Sequence, residues 1–238
     1  MGEKVSAIIP AYNEADLIGE TVRAVKSVPV VYQTIVVDDA STDGTADAAR
    51  SAGADLVLVL ETNHGKGGAL NAGWIHAKGS VLLLLDADLG GSAIEAEKLV
   101  EPVLADTADM TIGILGGESS GSSFSISSSQ GARSGGFGLV MRTARFGIRL
   151  LTGKSVTAPL SGQRAVRREV IERVGGFASK FGVEVALTVD ALRMGCRLVE
   201  VPVGMVHRPS RRDVRGFAHR GRQLLDVVRV LLSRMLRR

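Results

Sequence analysis

Short apolar runs, each closed by a polar cluster, recur through the first half of the chain. Val5-Ser6-Ala7-Ile8-Ile9-Pro10, Thr34-Ile35-Val36-Val37, Asp55-Leu56-Val57-Leu58-Val59 and Ser80-Val81-Leu82-Leu83-Leu84-Leu85 read as strands. Helical stretches lie between them. Leu17, Ile18, Val22 and Val25 mark a helix from Glu14 to about Val28, Ser41-Thr42-Asp43-Gly44 leads into one ending at Arg50, and Gly65-Lys66-Gly67-Gly68 opens one running to Ala77. Strands that are apolar throughout and alternate with helices predict an α/β fold, with a mostly parallel central sheet covered on both faces. In such sheets ligands bind beyond the carboxyl ends of the strands. The polar clusters Pro10–Glu14, Asp38-Asp39, Asn63–Lys66 and Asp86–Asp88 all fall there.

The pattern changes after Ile112-Gly113. Residues 116–138 are dominated by Gly and Ser and have no apolar period. They predict a flexible loop too long for a simple connection. Beyond it the period predicts a helix over about Leu139–Leu151, a strand over Pro159–Val166, a short helix at Val170–Val174, a helix over Glu184–Met194 and a strand over Arg197–Val203. The chain then divides into a nucleotide-binding half (1–113), a Gly/Ser loop (114–138), an acceptor half (139–206) and a basic tail (207–238). No internal repeat interrupts this order.

Composition adds limits. The chain has 238 residues and 45% hydrophobic content, enough for one α/β domain with an appendage. The net charge of +4 is unevenly spread: residues 207–238 hold ten arginines against two acids, Asp213 and Asp226. A basic end on a near-neutral body predicts an anionic partner surface. Cys196 is the only cysteine, which excludes a disulfide framework and fits a reducing, cytoplasmic setting. The opening residues lack the features of a signal peptide, and no run of about 18 apolar residues exists to span a membrane.

Each polar cluster has a chemical and a structural reading. Asp38 and Asp39 suit a ribose or a base, or they cap a following helix. Gly65-Lys66-Gly67-Gly68 at a helix start suits phosphate through backbone N–H groups and the lysine, or is a glycine-rich turn. Asp86-Ala87-Asp88 places two carboxylates at the end of a buried strand, which is costly unless they are solvated or share a cation. Mg²⁺ or Mn²⁺ would accept them together with substrate phosphate oxygens.

Taken in order, Ile8-Ile9-Pro10-Ala11-Tyr12-Asn13-Glu14, Val36-Val37-Asp38-Asp39-Ala40-Ser41-Thr42-Asp43-Gly44-Thr45, Gly65-Lys66-Gly67-Gly68-Ala69-Leu70-Asn71-Ala72-Gly73 and Asp86-Ala87-Asp88 resemble the family 2 glycosyltransferases of GT-A fold. The resemblance implies a nucleotide-sugar donor held by Pro10, Ala11, Tyr12, Glu14 and Asp39, the last four at the base and ribose. It implies contacts from Lys66, Asp86 and Ala87 to the nucleotide, and Asp88 as metal ligand and catalytic group. Pro159-Leu160-Ser161-Gly162-Gln163-Arg164-Ala165 is similar to the sugar-pocket segment of dolichol-phosphate-mannose-synthase-like enzymes and glucosyl-3-phosphoglycerate synthases, which brings in Gly162. In those relatives a late histidine completes the metal site, and His207 stands in the corresponding place; a lone histidine is otherwise a surface residue. Many inverting members carry Glu-Asp after Gly-Gly-Phe, with the Asp as general base. Here Glu184 is followed by Val185, so Glu184 is the remaining candidate for the base, or it orients donor or acceptor. The resemblance implies a phosphorylated acceptor, either a polyprenyl phosphate or a small metabolite.

In the tail, Phe217, Leu224, Leu225, Val228, Leu231, Leu232 and Met235 form one apolar stripe, while Arg215, Arg222 and Arg229 recur on another face. This amphipathic pattern suits a peripheral position on an anionic membrane surface through residues 208–238, or a helix packed on the domain with a solvated arginine face. Arg208, Arg211 and Arg212 suit a phosphate of the donor or acceptor. The stretch has little aromatic content for stacking nucleic acid. A homodimer is compatible with the sequence. Two competing functions stand beside glycosyl transfer: a nucleotide-binding or membrane-associated protein that has lost catalysis, and a nucleotidyltransferase.

Overall fold

The computed structural model describes residues 3–116, 137–178, 182–207 and 214–236, with backbone alone for 137 and 214–222. Seven strands form one sheet: β1 (Val5–Ala11), β2 (Val31–Asp38), β3 (Leu56–Val59), β4 (Val81–Leu84), β5 (Met110–Leu115), β6 (Arg164–Arg167) and β7 (Leu198–Val203), in spatial order β3-β2-β1-β4-β6-β5-β7. β6 runs antiparallel to both its neighbours and the other strands share one direction.

Strand alternation sends successive side chains to opposite faces. Ala7 and Ile9 join a core with Ile18, Val22 and Val25 of α1 (Ala15–Lys26) and Leu99 and Val103 of α4 (Glu97–Leu104). Ile8, Leu82 and Leu84 face the other way, onto Leu70 of α3 (Gly65–Trp74), Ile171 of α6 (Arg168–Val174) and Leu187 of α7 (Val183–Arg193). A third cluster gathers Val140 and Ile148 of α5 (Phe137–Thr152), Val185 and Val189 of α7, and Val227 and Val230 of α8 (Val214–Leu236). α2 (Thr45–Ser51) lies beside α1.

The expected mostly parallel sheet with helices on both faces is present. Three details differ. The strand expected over Pro159–Val166 pairs only from Arg164, because the carbonyls of Pro159 and Ser161 accept hydrogen bonds from the Arg164 side chain instead of a neighbouring strand. A 3-10 segment, Gly90–Ala96, then α4 and β5 fill a stretch that the apolar period had left without structure. Most of the expected 116–138 loop lies outside the described residues, and its last two residues already belong to α5.

Reversal of β6 matters for function. The C-terminal end of β4 pairs with the start of β6, Leu84 opposite Arg164. The segment 159–163 therefore reaches the same edge as the ends of β1, β2 and β4.

Candidate active site

The first two polar loops build each other. Asn13 adopts a positive φ of 56°, and its side-chain oxygen accepts the N–H of Thr42. In return, Ser41 accepts the N–H of Asn13 and Thr45 that of Glu14, while Asp43 accepts the N–H of Ala15 in the first turn of α1. Of the two acids expected as caps, Asp38 accepts the N–H of Ser41 in the turn that follows it. Asp39 caps a different helix: its carboxylate accepts the N–H groups of His64 and Gly65 at 2.7 Å each, at the start of α3. This arrangement satisfies backbone donors at two helix starts and fixes the three loops relative to one another.

The segment after β4 is held from below. The hydroxyl of Thr21, fully buried on α1, donates to the carbonyl of Ala87 at 2.8 Å and accepts the N–H of Gly90. Asp86 and Asp88 consequently sit on a fixed turn.

Around that turn runs a chain of charged and polar groups. The ammonium of Lys66 bridges Asp86 at 2.5 Å and Glu184 at 2.9 Å. Gln163 donates to Asp86 at 2.6 Å and accepts the N–H of Asp86 at 3.0 Å. Its amide nitrogen lies 3.2 Å from Nε2 of His207, whose Nδ1 is 2.8 Å from Asp88. Burial opposes charge on Lys66, but the carboxylates of Asp86 and Glu184 outweigh it and hold the lysine above its ordinary pKa. Burial likewise pushes Asp86 up, and Lys66, His207 and Gln163 overcome it and hold the carboxyl below the usual range. The hydrogen bond to Asp88 keeps His207 above the free imidazole value against the effect of burial. Asp86, Asp88 and His207 each offer one ligand atom, and these atoms lie within 4.8 Å of one another. Two carboxylates and one imidazole are a donor set that Mg²⁺ or Mn²⁺ accepts.

Most sequence-predicted residues meet at one cavity of about 470 Å³. Pro10, Tyr12, Glu14, Lys66, Asp86, Ala87, Asp88, Glu184 and His207 line it. Ala11 and Asp39 lie behind that wall, both nearly buried, with the Ala11 carbonyl accepting the N–H of Asp39. Arg211 lies outside the described residues, as do Arg208 and Arg212. Gly162 presses on the inner wall: a methyl there would fall within 2.7 Å of an Asp86 carboxylate oxygen and onto the Lys66 ammonium. Gly162→Ala is therefore expected to separate Lys66 from Asp86. Affinity for a nucleotide sugar should drop by roughly tenfold, the worth of one charged hydrogen bond, with little change in melting temperature. Calorimetric titration and a thermal melt on the variant would show both.

Sequence reading missed Gln163, although it sits in the quoted Pro159–Ala165 segment. It is fully buried and ties Asp86 to His207. Arg164 was missed as well. It is 1% exposed, and its guanidinium donates to the carbonyls of Ser161 and Pro159 and to the hydroxyl of Thr188 on α7. A charged residue inside an apolar-looking strand was the available signal. Val140, Leu160, Gly182, Gln223 and Val227 complete the lining, with Val140, Leu160 and Val227 supplying apolar wall. Val185 is fully buried in the third core cluster and is not among the residues that line the cavity.

Comparison with known proteins gives the same reading. Residues 6–175 match the family described as glycosyl transferase family 2. The undecaprenyl-phosphate mannosyltransferase of Micrococcus luteus is 32% identical over 218 residues, 86% of this chain and 84% of that one. The undecaprenyl-phosphate 4-deoxy-4-formamido-L-arabinose transferase of Edwardsiella ictaluri is 30% identical over 242 residues, 98% of this chain and 69% of its own. The crystal structure of glucosyl-3-phosphoglycerate synthase from Mycobacterium tuberculosis with Mn²⁺, uridine diphosphate and phosphoglyceric acid matches with a TM-score of 0.78 and 26% identity, over 98% of this chain and 78% of that one. The matched span runs from β1 to the end of α6 and includes Asp86-Ala87-Asp88 on its fixed turn, and this chain belongs to glycosyl transferase family 2, with the GT-A fold.

Proposed function

We propose that this protein moves a sugar from a UDP- or GDP-sugar to a phosphate oxygen of a polyprenyl phosphate, with Mg²⁺ or Mn²⁺ held by Asp88 and His207. The observation that carries the reading is the joined cluster of Lys66, Asp86, Gln163, His207 and Asp88 at the strand ends. The bound metal would stabilise negative charge on the departing diphosphate. Pro10, Tyr12 and Glu14 border the cavity on the β1 side, where base and ribose would lie, with Ala11 and Asp39 supporting that wall from behind. Lys66 supplies a fixed positive charge, kept protonated by Asp86 and Glu184, and Gln163 fixes the orientations of Asp86 and His207.

Two features of the site support a phosphate acceptor. A hydroxyl acceptor must lose a proton to a base within reach. Val185 is buried in the core, and Glu184 is occupied by Lys66 at 2.9 Å. A phosphate monoester needs no such base, since its second pKa of about 6 leaves it largely dianionic at neutral pH. In the transfer its oxygen bonds to the anomeric carbon, the bond from that carbon to the diphosphate breaks, and the nucleoside diphosphate leaves with the electron pair. Glu184 then orients donor or acceptor. The apolar wall of Val140, Leu160 and Val227 suits the first isoprene units of a lipid acceptor.

A second reading, a small phosphorylated alcohol accepting through its hydroxyl, is favoured by the phosphoglyceric acid named with the mycobacterial structure. It requires Glu184 to leave Lys66 and act as base.

Thermal shift with a panel of UDP- and GDP-sugars tests the donor. At a hundredfold excess over Kd, binding adds about 2.7 kcal/mol, which for a chain of this size is a rise of roughly 5–10 °C. The rise should need Mg²⁺ or Mn²⁺. No shift with any donor in the presence of metal would defeat the proposal. A shift without transfer to any acceptor would favour a nucleotide-binding protein that has lost catalysis.

A further inference from the structure

Two helices beside the cavity carry an apolar face that no described residue covers. On α5, Phe146 is 69% exposed and Leu150 is 63% exposed, with Leu139 exposed two turns earlier on the same side. On α8, Leu225, Leu232 and Met235 are exposed. Among the described residues these stand on one surface. Gly147 marks the seam between the helices, since a methyl there would run into the side chain of Leu231. At about 100° per residue, Leu139, Phe146 and Leu150 lie one step round α5 from Gly147, on the side away from the core-facing Val140, Ala144 and Ile148. On α8, Leu232 and Met235 lie one step round from Leu231. They point away from Val230 and Arg234, which meet α7 at Gly182 and Asp190. The two exposed rows thus flank a single seam.

The surface is apolar and basic. α5 carries Arg142, Arg145 and Arg149 and no acid, and on α8 Arg229 is exposed beside Asp226 while Arg234 turns to Asp190 of α7. Arg142 and Arg149 are exposed beside Phe146. The same helices supply Val140 and Val227 to the apolar part of the cavity lining.

We propose that α5 and α8 together form a docking face for an anionic lipid surface. Phe146, Leu150, Leu225 and Leu232 would enter the boundary between headgroups and acyl chains, and Arg142 and Arg149 would meet lipid phosphates. Charge argues against a second copy as occupant, because two such faces would bring arginine-rich helices together. The proposal rests on the function proposed above in one respect only: a lipid acceptor would then reach Val140 and Val227 in the cavity lining from the bilayer. No helix of the described residues is long and apolar enough to cross a membrane, so the face is an interfacial one.

Flotation of the full chain without donor or metal reads the surface separately from catalysis. Vesicles of phosphatidylcholine with phosphatidylglycerol should carry the protein at low salt, and phosphatidylcholine alone should not. The double variant Phe146→Glu/Leu150→Glu should partition roughly tenfold less or weaker still, while keeping its melting temperature and its transfer to a water-soluble short-chain acceptor. Should that variant fail to fold, Arg142→Ser/Arg149→Ser is expected to lose binding to the anionic vesicles. Unchanged flotation of the folded α5 variants overturns the composite face, as does absence of flotation at low salt. A dimer in light scattering that Phe146→Glu dissociates assigns the face to a second copy and overturns the lipid proposal. Loss of transfer with flotation intact defeats the proposed activity and leaves the docking face supported.

Discussion

Asp88→Ala is expected to lower sugar transfer by roughly a hundredfold or more and to remove its dependence on divalent metal. The reason lies in the cluster's composition. Asp86 is committed to Lys66 and Gln163, whereas Asp88 has His207 as its recorded side-chain partner. Removing Asp88 leaves His207 and a partly neutralised Asp86, too few oxygens for a hard cation. Asp88 is partly exposed and lies on a turn held by Thr21 through backbone groups, so the fold should survive. Initial rates across a Mn²⁺ titration, with melting temperatures alongside, would show it. A variant with the parent's rate and metal response would remove Asp88 from the metal site.

The second large effect is on stability. Arg164→Met is expected to cost about 3 kcal/mol, a fall of roughly 6–12 °C in melting temperature. The side chain is enclosed, and burial pushes its pKa down to about 10, still far above neutral, with Glu184 and Glu200 countering from a distance. Its hydrogen bonds join the 159–163 loop to Thr188, whose hydroxyl donates to the carbonyl of Glu184. Methionine would fill similar volume but strand the carbonyls of Pro159 and Ser161. Arg164 thus acts as a positioning residue for Gly162 and Glu184. Arg164→Lys should not restore the parent, because a single ammonium cannot reproduce the guanidinium fork. Below the lowered melting temperature, the variants should show a larger rise in KM for the donor than fall in kcat. Unchanged melting temperature and kinetics would contradict this role.

Much of the donor half was legible because its strands are buried on both faces. Ile8-Ile9 and Leu82–Leu85 carry no alternation to blur, and each ends in a polar cluster. Direction was not legible: nothing in Arg164-Ala165-Val166-Arg167 marks it as the reversed strand, since period-2 patterning is the same read either way. Helix α4 was missed, although Leu99, Val100 and Val103 bury one side, because Pro102 interrupts the expected helical chemistry. The tail shows the limit of a stripe. Leu224 and Leu231 pack partly against the third core cluster, as the packed-helix alternative expects. Val227 and Val230 are more deeply buried, although the apolar stripe did not include them. α8 lies against both α5 and α7, so its buried face is turned towards the groove between them, and the outer half of the stripe is left exposed. The pairing of Asp88 with His207, 119 residues apart, was reachable only through resemblance, because spacing carries no information over such a distance.

The most direct test of the whole account is sugar transfer itself. The full chain would be incubated with a labelled UDP- or GDP-sugar and polyprenyl phosphate, with Mn²⁺ or with chelator, and parallel tubes would hold 3-phosphoglycerate. Metal-dependent labelling of the lipid phosphate is expected, with one nucleoside diphosphate released per sugar transferred and no comparable labelling of phosphoglycerate. Release of nucleotide with no labelled lipid from any donor, or labelling that persists unchanged in chelator, would contradict it.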